Sequence, residues 1–443
     1  MDYTMLPQDI RLMILEYLSY DDMLKCEAVS TSWLDDMHVL WKRQRKLSIC
    51  FSPMLDIENC PHPDHRLNPS SIVLDLESYF SHMMRNCYHV IRRCPNLKVL
   101  RFNTSCIVSP NFGSDIAHFC PNLEHVSFAE LNTFRAFMSY AQSLGDECHI
   151  KCVMITEPDS RDTIEGFEAD LAAFVMNCPK LDCLHNVTES NGEDLLSMVI
   201  PRVRHLSMNS FNCDEKTLTK ILSKANRLES FLCRQTLSVS CIEELNNIPG
   251  LVSLSIPANY EAISHPSMTY KSWKGLSLWP GHETSPIEFT TIQRLVRLNG
   301  ATLETLELSG FTMTIDELMA ILSVLTTKLR KLTLDLNSQQ TMTPPVSNTL
   351  CSLRSIEYLS ISNIMLTEDQ FTHILNSLQQ LRELHLIGMN VTPVMREVII
   401  QTASRSLNRN FYCFLDHRFV GQAADRLRDT IVTLRNLTFI YCH

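Results

Sequence analysis

Cys60-Pro61-His62-Pro63-Asp64-His65 gathers a thiol, two imidazoles and a carboxylate within six residues. These are soft and borderline ligands of the kind that hold zinc. A structural zinc site needs a second ligand pair at a recognised spacing, and none accompanies this run. It reads as a proline-flanked surface loop. Three further cysteines precede proline, in Cys94-Pro95, Cys120-Pro121 and Cys178-Pro179. They lie whole structural units apart, each just ahead of an apolar pattern, which predicts buried thiols at helix ends that do not converge on one ion. Cys148 and Cys152 are four apart with no partner pair near them in the sequence, and read as filler of the same kind. The expectation is therefore no metal and no cofactor.

Nor does any catalytic arrangement stand out. There is no G-x-S-x-G elbow, no H-E-x-x-H and no C-x-x-C redox pair. The 11 glycines are never closer than six positions, which leaves no G-x-G-x-x-G or Walker loop to wrap phosphate. No catalytic residue is assigned, and the chain is expected not to be an enzyme. Its 39 Lys and Arg against 49 Asp and Glu give a net charge of −10, a poor balance for holding nucleic acid. Lys42-Arg43-Gln44-Arg45-Lys46 reads as cations closing a helix rather than as a nuclear-import patch. The start, Met1-Asp2-Tyr3-Thr4-Met5, shows no secretory signal, and no apolar run is long enough for a membrane helix. With 17 cysteines, an odd number, free thiols in cytosol or nucleus are expected, and the sequons at Asn103, Asn186, Asn390 and Asn436 are chance matches. No membrane or nucleic-acid partner is expected.

The elements that would position any site are dominated by a repeat. The pattern L-x-x-L-x-L, with other apolar residues allowed, recurs at Leu97-Leu100-Phe102, Leu123-Val126-Phe128, Ile150-Val153-Ile155, Val203-Leu206-Met208, Leu228-Phe231-Cys233 and Leu251-Leu254-Ile256. It continues at Trp273-Leu276-Leu278, Leu303-Leu306-Leu308, Leu329-Leu332-Leu334, Ile356-Leu359-Ile361, Leu381-Leu384-Leu386 and Leu434-Leu437-Phe439, with Leu181-Leu184 a degenerate member. Most intervals run about 22 to 30 residues, the spacing of leucine-rich repeats. Helical patterns lie between, such as Ile315-Leu318-Met319-Leu322-Leu325. One such unit cannot close its own core. Stacked units give an α/β leucine-rich-repeat solenoid, with short parallel strands on the concave face and helices on the convex face.

Residues 1–47 differ. Ile10, Ile14 and Leu18 mark one helix starting near Pro7, Ser19 to Asp22 cap a second, and Ser30-Thr31-Ser32 cap a third that holds Trp33, Leu40 and Trp41. Three helices in so short a stretch make a marginal core that calls for a partner. Residues 48–70 carry Pro53, Pro61, Pro63 and Pro69 and read as a linker or an extended wrap. From Ser71 a helical segment is expected through Ile72, Leu76, Tyr79, Phe80 and Met83, opening a repeat domain over 71–443 of about 12 to 13 irregular units. Whether Phe411 to Leu415 forms another strand is left open.

The N-terminal unit resembles the F-box. Leu6-Pro7-Gln8-Asp9-Ile10, then Ile14, Leu18, Leu24, Val29, Trp33 and Leu40-Trp41, stand where that family has its Leu-Pro opening, its isoleucines four apart, its Val-to-Trp step and its closing Leu-Trp. Departures are small: Asp9 for the usual Glu, Met23 for Leu, and Cys26 at a commonly aliphatic site. F-box domains bind the Skp-family adaptor of cullin-RING ubiquitin ligases. The resemblance implies that Leu6, Pro7, Ile10, Ile14, Leu18, Leu24, Val29, Trp33, Leu40 and Trp41 form that interface or the small core behind it. The remainder is similar to the leucine-rich-repeat class of F-box proteins, whose repeats hold a target protein. The implied role is a substrate-recognition subunit of an SCF-type ligase; the alternative is a scaffold that acts without ubiquitylation.

Residues alternating with the buried positions of each strand point outward. Candidate target-binding residues on that face are Arg101, His125, His205, Ser207, Thr305, Glu307, Lys331, Tyr358, Glu383 and His385. The face is mixed and rich in hydroxyls, with no basic stripe.

Overall fold

A strand with an apolar residue at every second position buries one face and leaves the other open. The computed structural model describes residues 6–15, 29–30, 32–33, 35–37, 39, 46–51, 71–76, 91–92, 94–102, 111–128, 131–155, 167–188, 193–210, 214–258, 264, 272–280, 289–389, 391–405, 411–416 and 437–442. The chain divides into two compact units, Met1–Asp214 and Glu215–His443.

The first unit runs α1 (Gln8–Leu15), β1 (Lys46–Phe51), β2 (Ser71–Leu76), β3 (Val99–Phe102), α2 (Phe112–Phe119), β4 (His125–Phe128), α3 (Leu131–Leu144), β5 (Cys152–Ile155), α4 (Phe167–Met176), β6 (Cys183–Thr188), α5 (Glu193–Val199) and β7 (His205–Ser210). Each strand pairs in parallel with the next. Parallel neighbours need a crossover, and from β3 onward each crossover carries a helix. Leu100, Phe102, Val126, Phe128, Val153 and Ile155 are buried beneath those helices. Phe102 and Phe128 stack in adjacent strands at 5.7 Å between ring centroids, with Phe112 of α2 and Phe134 of α3 edge-on to them. Gly113 lets α2 lie directly on α3, since a Cβ there would come within 2.6 Å of the Phe137 carbonyl oxygen.

The Cys-Pro thiols behave as read from the sequence: Cys94, Cys120 and Cys178 are all buried. Cys120 donates to the Cys94 carbonyl at 3.2 Å, and burial pushes its thiol up to about 12. Stacking nonetheless brings neighbouring thiols together, with Cys148 and Cys178 sulfurs 3.9 Å apart.

Glu124 joins three successive repeats, its carboxylate lying 2.7 Å from Lys151 Nζ and 2.8 Å from Lys98 Nζ. Lys151 and then Lys98 hold this carboxyl down to about 2, from an ordinary 4.5. A folded value below the unfolded one stabilises above pH 4.5, and that contribution disappears as pH falls towards 2. Across that window the melting temperature of the wild type should fall more than that of Glu124→Gln. Added salt should shrink the difference, because both lysine partners are about half exposed. Equal acid slopes would show that the bridge contributes nothing.

The second unit runs α6 (Glu215–Leu222), β8 (Ser230–Cys233), α7 (Val239–Asn247), β9 (Ser253–Ala258), β10 (Gly275–Pro280), α8 (Phe289–Asn299), β11 (Thr305–Phe311), α9 (Ile315–Leu322), β12 (Lys331–Thr341), α10 (Pro344–Ser352), β13 (Tyr358–Met365), α11 (Glu368–Ser377), β14 (Glu383–Ile387), α12 (Pro393–Arg405), β15 (Phe411–Asp416) and β16 (Leu437–Cys442). These strands also pair in parallel, each with the next. Asparagine side chains tie successive repeats: Asn363 Nδ2 donates to the Leu336 carbonyl at 2.7 Å, and Asn337 donates to the Gly310 carbonyl. Gly310 sits at φ +76°, where the β11 register shifts, a conformation that favours glycine.

Two helices start on reciprocal capping boxes. Glu317 N–H donates to Thr314 Oγ1 while Thr314 N–H donates to Glu317 Oε2, and Thr367 with Gln370 repeats the arrangement. Thr314→Ala and Thr367→Ala should each cost about 1 kcal/mol, and the double variant about 2, by denaturant unfolding. An unchanged midpoint in the double variant would contradict this.

Three sequence readings need correction or completion. Ser71–Leu76 is a strand and not the start of a helix. Ile72, Leu74 and Leu76 fit period 2 as well as Ile72 and Leu76 fit a helical period, and the segment is held in register between β1 and β3. β1 takes Lys46 from the expected third helix and Ser48–Phe51 from the expected linker, because Leu47, Ile49 and Phe51 alternate along Lys-Leu-Ser-Ile-Cys-Phe. Phe411–Asp416 is a strand, closing the question left open. Cys60–His65, Tyr79–Met83 and most of the expected second and third helices lie outside the described residues.

Candidate functional site

Helix α1 turns two kinds of apolar side chain in opposite directions. Leu12 and Leu15 are buried, whereas Ile10 and Ile14 are 42% and 39% exposed on successive turns. Val29 is 63% exposed. An ion pair between the half-buried Arg11 and the buried Asp36 sets the helix in place: Arg11 Nε lies 2.6 Å from Asp36 Oδ2, and its Nη2 donates to Oδ1 at 3.0 Å. Arg11 Nη1 also donates to the Leu6 carbonyl at 2.9 Å, and Gln8 Nε2 to Asp36 Oδ1 at 3.3 Å. Such a two-pronged contact fixes orientation as well as charge. Sequence reasoning did not single out Arg11 or Asp36, which lie 25 positions apart and carry no local pattern. Among the other predicted interface residues, Pro7 is exposed and Leu6 and Trp33 are half-buried, while Leu18, Leu24, Leu40 and Trp41 lie outside the described residues.

On the open sheet face of the second unit, parallel register gathers six predicted residues into two rows. Thr305, Lys331, Tyr358 and Glu383 are partners across β11 to β14, and Glu307, Thr333, Ser360 and His385 form the next row. Lys331 Nζ sits 4.6 Å from the Tyr358 ring centre, and Tyr358 lies 4.9 Å from the His385 ring. His385 Nε2 is 2.7 Å from Glu383 Oε1. The block offers an aromatic platform flanked by one cation and carboxylates, a surface suited to a mixed polar segment of another protein.

On the open face of the first unit, His125, Cys152, Cys183 and His205 form one row across β4 to β7, with His185 two residues beyond Cys183. Arg101, on the neighbouring β3, is exposed. Ser207 was expected to point outward but is buried, its short side chain covered where the β6–β7 register shifts. Cys152 was expected to have no partner, yet its sulfur lies 3.2 Å from that of Cys183, and Cys183 Sγ lies 2.9 Å from His185 Nε2. The interaction with the Cys183 sulfur holds the Cys152 thiol well below its ordinary value, with His185 and His125 adding to the effect. Alternation could have found this group, because Cys152 and Cys183 share the strand parity of His125. The degenerate repeat at Leu181 obscured it.

Residues 4–46 match the model of the F-box-like family, a stretch that contains α1 and the Arg11–Asp36 pair. The N-terminal segment is F-box-like, and the remainder of both units is a parallel α/β repeat. Among solved structures, one described as the crystal structure of the Rad7 and Elc1 complex in yeast aligns with 80% of this chain and 83% of its own, at 14% identity and a TM-score of 0.42. No curated protein matches the chain. No described helix is long and apolar enough to cross a membrane.

Proposed function

We propose that this chain is the substrate-recognition subunit of an SCF-type ubiquitin ligase, with repeats of the leucine-rich class. Its F-box-like segment docks on a Skp-family adaptor, and the open sheet faces hold a target protein. The observation that carries this reading is the pair of outward isoleucines, Ile10 and Ile14, fixed on an F-box-like helix by the ion pair of Arg11 with the buried Asp36. Exposed apolar side chains on a clamped helix favour a protein partner, since burying the exposed two-fifths of each yields about 1 kcal/mol. The mechanism is positioning: the chain contributes no reacting group and raises the effective concentration of a target lysine near a ubiquitin-charged partner in cytoplasm or nucleus. Lys331, Tyr358, Glu383 and His385, with Thr305 and Glu307, are the proposed centre of target binding, and Arg101 and His205 a second surface.

The test follows proteins that co-purify with the chain. On its removal from cells, at least one should persist longer. Restoring the wild type, but not a Lys331→Ala, Tyr358→Ala double variant, should return the shorter half-life. Co-purifying proteins whose half-lives never change would assign the chain a scaffolding role instead.

A further inference from the structure

We propose that Cys152, Cys183, His185 and His125 form a zinc-binding site on the open face of the first unit. The inference is independent of the ligase reading and departs from the expectation that the chain holds no metal.

Placement is the first argument. Nine described cysteines, at 94, 120, 148, 178, 183, 233, 241, 351 and 413, are buried, and Cys152 is half-buried. Cys152 and Cys183 share one parity of their strands, in register with His125. A small buried thiol packs like an aliphatic group, but these two lie side by side with an imidazole against them. The row and its neighbour bring imidazoles to the same place from both directions.

Donor geometry is the second. One ligand atom each from Cys152, Cys183 and His185 lies within 4.8 Å of the others. His125, in register with Cys152 on the adjacent β4, is the proposed fourth donor. Tetrahedral zinc, with bonds of about 2.3 Å to sulfur and about 2.0 Å to nitrogen, sets its donors roughly 3.5–3.8 Å apart. The observed 3.2 Å between sulfurs and 2.9 Å from Cys183 to His185 need only small side-chain rotations to reach that spacing. Ligand chemistry then selects the ion. Two thiolates and two imidazoles suit zinc, whereas calcium and magnesium demand oxygen donors. Four protein ligands make a closed, structural site. On binding, each thiol releases its proton to solvent and forms one sulfur–zinc bond. The ion would cross-link β4, β5 and β6 on the face that lacks helices.

The full-length chain, purified without chelator, should contain about one equivalent of zinc by elemental analysis. After removal of the metal, added cobalt should give the intense visible band of tetrahedral thiolate ligation, and zinc should bleach it. Cys152→Ser and Cys183→Ser should each abolish the band, and His185→Ala should weaken cobalt affinity by at least about tenfold. The cobalt titration of the wild type requires no variant to fold. Its failure to give a thiolate band, with the thiols shown to be reduced, would overturn the proposal. So would recovery of Cys152 and Cys183 as a disulfide that forms equally with and without zinc.

Discussion

Replacing Ile10 and Ile14 together by glutamate should abolish capture of a Skp-family adaptor while leaving the chain folded. Both side chains are about two-fifths exposed, so neither substitution opens a cavity. Glutamate is a good helix former, so α1 should persist. At an apolar interface the double variant loses the burial of two isoleucines and must desolvate two carboxylates. The loss should exceed about 4 kcal/mol, or roughly a thousandfold in affinity. Binding to immobilised adaptor measures it, with melting temperature as the control for folding. Affinity within about tenfold of wild type would remove these isoleucines from the interface. Arg11→Ala should behave differently, because it leaves the buried Asp36 carboxylate without its bidentate partner and so acts through the fold.

Phe137→Ala should be the most destabilising truncation in the first unit, at about 3–5 kcal/mol. Phe137 is fully buried at the junction of four aromatic rings. Its ring centre lies 4.8 Å from Tyr140, 5.1 Å from Phe128, 6.2 Å from Phe174 and 6.4 Å from Phe112. These rings come from α2, α3, α4 and β4, so the cavity left behind would be shared by several elements and would not collapse locally. Hydrogen exchange should show protection lost over residues 111–155, with the core of the second unit unchanged. A cost below about 1 kcal/mol would mean that this cluster is not the centre of the core.

Period and register explain which parts of this molecule could be read from its sequence. The strands at Leu100, Leu206, Leu306 and Leu384 follow from a pattern repeated so often that chance matches average out. Parallel register then predicts the neighbours of Tyr358 and Lys331, because stacked units place like positions side by side. Ser71–Leu76 misled because a run rich in aliphatic residues satisfies both periods, and only pairing with strands on both sides decides between them. The Arg11–Asp36 pair joins residues 25 positions apart, a separation that the helical periodicity of either segment does not relate. Cys152 and Cys183 share the strand parity of His125 and His205, and the degenerate repeat at Leu181 masks that in the sequence.

The most direct test of the account is co-expression of the full chain with a Skp-family adaptor, followed by size-exclusion chromatography of the wild type and of the Ile10→Glu, Ile14→Glu variant. The account predicts a stable one-to-one complex for the wild type and separate elution for the variant, with both chains folded by circular dichroism. Separate elution of a folded wild type, or co-elution of the variant undiminished, would contradict it.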